Sequence, residues 1–340
     1  MKKLVLGVAL SAMFAAGTAA AAQAADKLTL ELKWVTQAQF AGYYVAKAKG
    51  YYTDANLDVT INPSGTDVTP VQALAAGGAD VIIDWIADAL SAREKGVKLV
   101  NIAQPYKNSG LWMTCRKDMG VNSTADFKGK TLGVWFGGNE YPFYAWMAKL
   151  GLKTDGSADG VTVLKQGFDV NPLLQKQAAC VSTMSYNEYG QVLDGGLKPE
   201  ELKVFNYRDE GVGMLEDGLY VMQDRLQDPK FQDEMVRFVT ASMKGWHYAV
   251  AHPDEAAQIV VDADDSGAAT IEHQTFMMAG VAKLVDPGIG ALDDAAYKES
   301  VATLLSAAKA DSNPAITKEP DADAVTHAIT DKITADAVQP

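Results

Sequence analysis

The chain has 340 residues, 48% of them hydrophobic, and a formal net charge of −13 at pH 7. That apolar share is enough for a packed core. A field this negative repels nucleic acid and anionic lipid at long range, which argues against both as partners but leaves room for a local positive pocket.

The N-terminus carries an export pattern. Met1-Lys2-Lys3 is a short basic start, Leu4 to Ala15 is apolar apart from Ser11, and an alanine-rich stretch ends in Ala22-Gln23-Ala24. Such an order reads as a cleavable signal peptide over residues 1–25, with an apolar run too short to span a membrane. The mature chain is expected to be exported and soluble, and no cysteine stands at the cleavage point to take a lipid. Cys115 and Cys180 can pair in an oxidising compartment or remain separate buried thiols, and spacing does not decide between these. With no histidine near them they do not make a zinc site.

Strand and helix signals alternate from residue 27. Strand patterns cover Leu28 to Val35, Leu57 to Ile61, Asp80 to Ile83 and Val97 to Ala103. Helical patterns between them cover Ala38 to Lys49, Val68 to Ala76 (capped by Thr66 or Asp67) and Ile86 to Lys95, each stopped by glycine. The rhythm repeats with strands at Leu111 to Arg116, Thr131 to Phe136, Val161 to Leu164, Val181 to Met184 and Leu202 to Asn206. Their helices are Tyr141 to Leu150, Pro172 to Ala178 and Asn187 to Leu193. Leu215 to Val221 reads as a strand returning to the first unit. The tail is helical over Asp228 to Ala251, Pro253 to Asp262, Ile271 to Val285, Ala295 to Ala310 and Ala322 to Thr330.

This βαβα order predicts an α/β fold of two doubly wound lobes, with mostly parallel sheets and a helical C-terminal region. The expected division is 26–110 with 216–340 for the first lobe and 111–215 for the inserted second lobe. Two crossings make a two-segment hinge, and ligands in such sheets bind beyond the carboxyl ends of the strands.

The segments "LKWVTQAQFAGYYVAKAKGYYTDANLDVTI", "GGADVIIDW" and "FKGKTLGVWFGG" carry a family resemblance. The chain resembles periplasmic solute-binding proteins of ABC importers, and within them the thiamine-pyrimidine-precursor family, whose relatives bind sulfonates, nitrate or riboflavin. Gly42-Tyr43-Tyr44-Val45-Ala46, Gly50-Tyr51-Tyr52 and Asn56-Leu57-Asp58-Val59 match its opening. The resemblance implies a monomer that captures a small molecule and delivers it to an inner-membrane permease, with no cofactor. Some relatives are pyrimidine synthases, but these carry a cysteine-rich iron motif and an active-site histidine. Here the four histidines, His247, His252, His273 and His327, fall in the helical tail, and no hydrolase motif is present.

Candidate ligand residues follow from strand ends. Trp34 and Gln37 close the first strand, where Trp34 contacts a ligand or fills the core. Of Phe40 and Tyr44, one turn apart, one is expected to face the cleft and the other the core. Tyr51 and Tyr52 read as packing residues. Trp85 follows the third strand, either over a flat ring or as wall packing, and Tyr106 is a weaker candidate. Gly137-Gly138-Asn139-Glu140-Tyr141 turn a strand into a helix whose free amides point toward the cleft. Glu140 in its first turn already offsets the helix dipole, which argues against an anion and for a polar heteroaromatic. The alternative is an ordinary turn with a capping Asn. Tyr186, Asn187 and Glu188 follow a further strand. Glu188 can accept from an exocyclic amine, Asn187 can donate and accept, and helix capping is the plainer role. Glu216 and Asp217 read as solvated hinge charges or as residues of the cleft mouth. With no Arg or Lys evident among the strand-end residues, a thiamine-type pyrimidine is expected first, a riboflavin-like ring next and an alkylsulfonate third.

Overall fold

The computed structural model describes residues 24–64, 69–308 and 314–340. Nearly all of the expected signal peptide and the expected caps at Thr66 and Asp67 lie outside the described residues. Thr69 caps Pro70–Ala75, its side chain accepting from the Gln72 amide.

Among the described residues, ten strands form two sheets of five. The first sheet holds β1 (Asp26–Glu31), β2 (Leu57–Asn62), β3 (Val81–Asp84), β4 (Leu99–Ala103) and β10 (Gly218–Met222), in the order β2-β1-β3-β10-β4. The second holds β5 (Leu111–Arg116), β6 (Thr131–Val134), β7 (Thr162–Lys165), β8 (Cys180–Met184) and β9 (Leu202–Asn206), in the order β7-β6-β8-β5-β9. With helices flanking both sheets, the architecture is two α/β lobes.

Both sheets are mixed rather than mostly parallel. β1 runs parallel to β2 and β3, and β6 runs parallel to β7 and β8. β10 opposes β3 and β4, while β5 opposes β8 and β9. The cause is the crossing. A chain arriving from the other lobe enters at the cleft edge, where the parallel strands end, and must run away from it. Gly218 therefore sits opposite Asp84, and Leu111 opposite Met184.

The two crossings are tied together. Glu216 is buried and accepts from the Ser109 hydroxyl at 2.5 Å and from the Gly110 amide at 3.0 Å. Asp217 is buried beside it. Neither is the solvated charge its sequence setting suggests: the amides of residues 110 and 111 point at Glu216, and the Gln39 and Trp85 side chains donate to Asp217. Cys115 and Cys180 face each other on β5 and β8 with Cα atoms 3.9 Å apart and are joined as a disulfide.

The tail wraps the lobes. Helix Pro229–Ala251 packs on Ala41–Ala48, and a Cβ on Gly42 would fall 2.2 Å from the Trp246 ring, so glycine lets the two helices meet. Helix Asp294–Ala307 packs against Glu140–Lys149 of the second lobe. Residues 322–330 do not form the expected helix. Asp323 pairs with Arg93, and Val325 bridges Asn101 of β4, whose carbonyl takes the Thr326 amide at 3.0 Å. The Thr326 amide is spent on the sheet edge, and only a short 3-10 turn forms at Ala322–Ala324. Among the described residues no helix is long and apolar enough to cross a membrane.

Candidate functional site

The carboxyl ends of the parallel strands face each other across a cavity of about 450 Å³. Lys33, Trp34, Gln37 and Gln39 reach it from the segment after β1, and Trp85 and Asp88 from the segment after β3. The second lobe contributes Trp135, Phe136, Gly137 and Asn139 after β6. It also contributes Gln166 and Phe168 after β7, and Met184, Tyr186 and Glu188 from the end of β8 onward. Thr69 and Pro70 complete the rim with Lys165.

The walls are aromatic. The Trp34 and Phe168 rings, one from each lobe, lie 4.6 Å apart with planes tilted by 46°. The Trp85 indole donates to Asp217 Oδ1 at 2.8 Å, and the Trp135 indole donates to the Gly167 carbonyl at 2.8 Å. With their N–H groups satisfied, these indoles have their ring faces left for an occupant.

The polar groups are few and placed. Glu188 is buried, accepting from the Met184 amide at 2.8 Å and from Asn187 Nδ2 at 2.9 Å. Burial pushes its carboxyl up to about 7, and the Met184 amide offsets that only in part. Lys33 lies 2.5 Å from Asp84, 3.8 Å from Asp88 and 3.5 Å from the Gly137 carbonyl. Burial alone would depress the Lys33 ammonium, but Asp84 and Asp88 hold it above the ordinary lysine range. Two cations, Lys33 and Lys165, therefore do line the cleft, contrary to the sequence reading. Lys33 is already matched by a buried carboxylate, and Lys165 is exposed.

Of the expected site residues, the cavity brings together Trp34, Gln37, Trp85, Gly137, Asn139, Tyr186 and Glu188. Phe40 and Tyr44 both pack in the core, so neither faces the cleft; the Tyr44 hydroxyl is held 2.9 Å from Thr36 Oγ1. Gly138 and Glu140 satisfy each other, the Gly138 amide donating to the Glu140 carboxylate at 2.8 Å. Gly138 has φ +111°, and a Cβ there would fall 2.9 Å from that of Asp88, so only glycine allows this approach of the lobes. The Tyr141 hydroxyl lies 3.2 Å from Ser91 Oγ of the first lobe, outside the cavity. Asn187 stands behind the wall, donating to Gln37 Oε1 at 3.2 Å. Tyr106 is a core residue whose hydroxyl donates to the Gln39 carbonyl.

Sequence reasoning missed Gln39, Asp88, Trp135, Phe136, Gln166 and Phe168. The strand-end rule that selects Trp34 and Trp85 would have found Trp135, Phe136 and Phe168, because "VWFGG" and "KQGF" also close strands. His273, one of the histidines of the helical tail, reaches Asn187 Oδ1 with Nε2 at 2.8 Å.

The chain is 24% identical over 264 residues to the formylaminopyrimidine-binding protein of Halalkalibacterium halodurans, covering 77% of this chain and 78% of that one. It is 29% identical over 255 residues to the riboflavin-binding protein RibY of Chloroflexus aurantiacus, covering 71% and 69%. In fold it is similar to the alkanesulfonate-binding protein SsuA from Xanthomonas axonopodis pv. citri bound to MOPS. That likeness has a TM-score of 0.62 at 15% identity and covers 90% of this chain and 99% of the other. The family described as NMT1/THI5 like matches residues 37–256, most of both lobes, and the chain belongs to that family.

Proposed function

We propose that this chain is the periplasmic substrate-binding component of an ABC importer. It captures a small flat heteroaromatic, first of all a thiamine-type pyrimidine precursor, between lobes 26–110 with 216–340 and 111–215. It releases the ligand unaltered to an inner-membrane permease and acts as a monomer without enzymatic activity. One observation carries the reading: aromatic side chains from both lobes line a single cavity in which Glu188 is a buried hydrogen-bond acceptor. Ring faces supply buried area and stacking, and one acceptor fixes orientation.

The likeness to a formylaminopyrimidine-binding protein supports the pyrimidine. A riboflavin-like ring is the second reading, favoured by the likeness to RibY and by a cavity of about 450 Å³, roomy for a single ring. A sulfonate ranks third, because the buried cation of the cleft is matched by Asp84.

The test is a thermal-shift screen of the mature chain against formylaminopyrimidine, riboflavin and an alkanesulfonate, followed by calorimetry. A pyrimidine or flavin should raise the melting temperature with an affinity of micromolar or better. A response to the sulfonate alone would overturn the ring-binding reading.

A further inference from the structure

Behind the aromatic walls a series of hydrogen bonds runs from one lobe to the other. Asp217 Oδ1 accepts from the Trp85 indole, which can only donate, and Asp217 Oδ2 lies 2.8 Å from the Gln39 amide. An ionised carboxylate has nothing to donate, so Gln39 must turn its NH₂ toward Asp217. Its Oε1 is then left for Gln37, whose Nε2 donates at 2.6 Å. Gln37 in turn has its Oε1 toward Asn187, whose Nδ2 donates to it at 3.2 Å and to Glu188 at 2.9 Å. Asn187 Oδ1 therefore accepts, from Gln191 at 3.1 Å and from His273 at 2.8 Å. Each amide could be reversed alone, but the carboxylates of Asp217 and Glu188 fix the direction of all three.

We propose that this one-way chain, His273 to Asn187 to Gln37 to Gln39 to Asp217, makes the wall formed by Gln37 and Gln39 a donor-biased surface, with His273 as its distal positioning residue. It rests on the reading of the cavity as a ligand site and deepens it. Each glutamine oxygen already accepts one hydrogen bond within the chain, and each amide keeps one N–H. The wall then favours an occupant that turns an acceptor, such as a ring nitrogen or carbonyl, toward Gln37 and Gln39, and a donor toward Glu188. An amine facing the glutamines would set its donors against their free N–H groups, which lowers affinity. Because Asn187 belongs to the second lobe and Gln37 and His273 to segments outside it, the donor wall is completed only when the lobes meet.

The chain also demands one tautomer. His273 must carry its proton on Nε2 to donate to Asn187. Burial lowers the His273 pKa, so the ring is neutral at pH 7.5. Nitrogen-15 NMR of the mature protein, with the His273 signals assigned by their loss in His273→Gln, reads this without any ligand. We expect the Nε2–H form alone in the wild type and a mixture of tautomers in Asn187→Ala. An Nδ1–H ring, or a mixture that Asn187→Ala leaves unchanged, overturns the proposal. A second readout uses 4-amino-2-methylpyrimidine and the matching aminopyridines lacking one ring nitrogen. Loss of the nitrogen facing Gln37 should cost roughly tenfold in affinity in the wild type and about threefold or less in Asp217→Asn, where Gln39 can reverse. Equal discrimination in both proteins also contradicts the donor wall. Failure of every pyrimidine to bind removes the ligand class and leaves the tautomer result to decide the chain.

Discussion

Trp34 and Phe168 meet across the cleft with ring centroids 4.6 Å apart, although one follows β1 and the other β7, in different sheets. Phe168 is 47% exposed, which a large apolar side chain tolerates best where a partner or ligand covers it. Trp34→Ala should therefore weaken ligand binding by about tenfold, or ~1.4 kcal/mol, through lost stacking and area. Because Trp34 is half-buried at the cavity wall and not in the core, melting should shift little. Titration calorimetry and a melting curve on the same sample check both halves.

The buried hinge acids set a pH dependence. Burial pushes Glu216 up to about 8 and Asp217 up to about 6, with the hydrogen bonds to each offsetting burial only in part. A carboxyl whose pKa is higher folded than unfolded holds its proton better when folded. It stabilises at low pH and loses that contribution as the pH rises through the folded value. The melting temperature should fall by roughly 5 °C between pH 5.5 and pH 8.5, and Glu216→Gln should flatten the slope. A melting temperature that rises over this window would show that the carboxyl is ionised in the folded hinge.

Lys33 answers Asp84 at 2.5 Å, and Asp84 is fully buried. Removing the cation strands a charge, so Lys33→Ala should cost about 3 kcal/mol in urea unfolding. The pair Lys33→Met with Asp84→Leu removes both charges and should recover most of that loss. Neither variant should gain affinity for a sulfonate.

The Cys115–Cys180 disulfide closes a loop spanning 65 positions in sequence. Replacing both cysteines with serine should lower stability by about 3 kcal/mol, mostly by freeing the unfolded chain. Urea midpoints of the two proteins give the difference, and an unchanged midpoint would contradict it.

Much of the fold was legible because apolar periodicity reports burial, and the alternation of strand and helix came through from Leu28 to Asn206. Trp34, Trp85, Gly137, Tyr186 and Glu188 could be placed at the cavity because each stands at the end of a strand pattern or within four residues after it. What escaped depends on partners distant in sequence. Nothing near Glu216 signals that it will meet Ser109 and Gly110, or near Lys33 that Asp84 will match it. Tyr44 and Phe40 show the limit of the strand-end rule, since both turn into the core. The end of the tail carried helix-period apolar residues, yet Val325 pairs with β4 and the Thr326 amide is claimed by it. Reversed entry of β5 and β10 is a consequence of the crossings, which periodicity does not record.

The most direct test of the account is equilibrium binding of formylaminopyrimidine and riboflavin to the mature protein, followed by mass spectrometry of the recovered ligand. The account predicts saturable one-to-one binding that Glu188→Ala and Trp34→Ala both weaken, with the ligand recovered at its original mass. Affinity untouched by both substitutions, or recovery of a converted product, would contradict it.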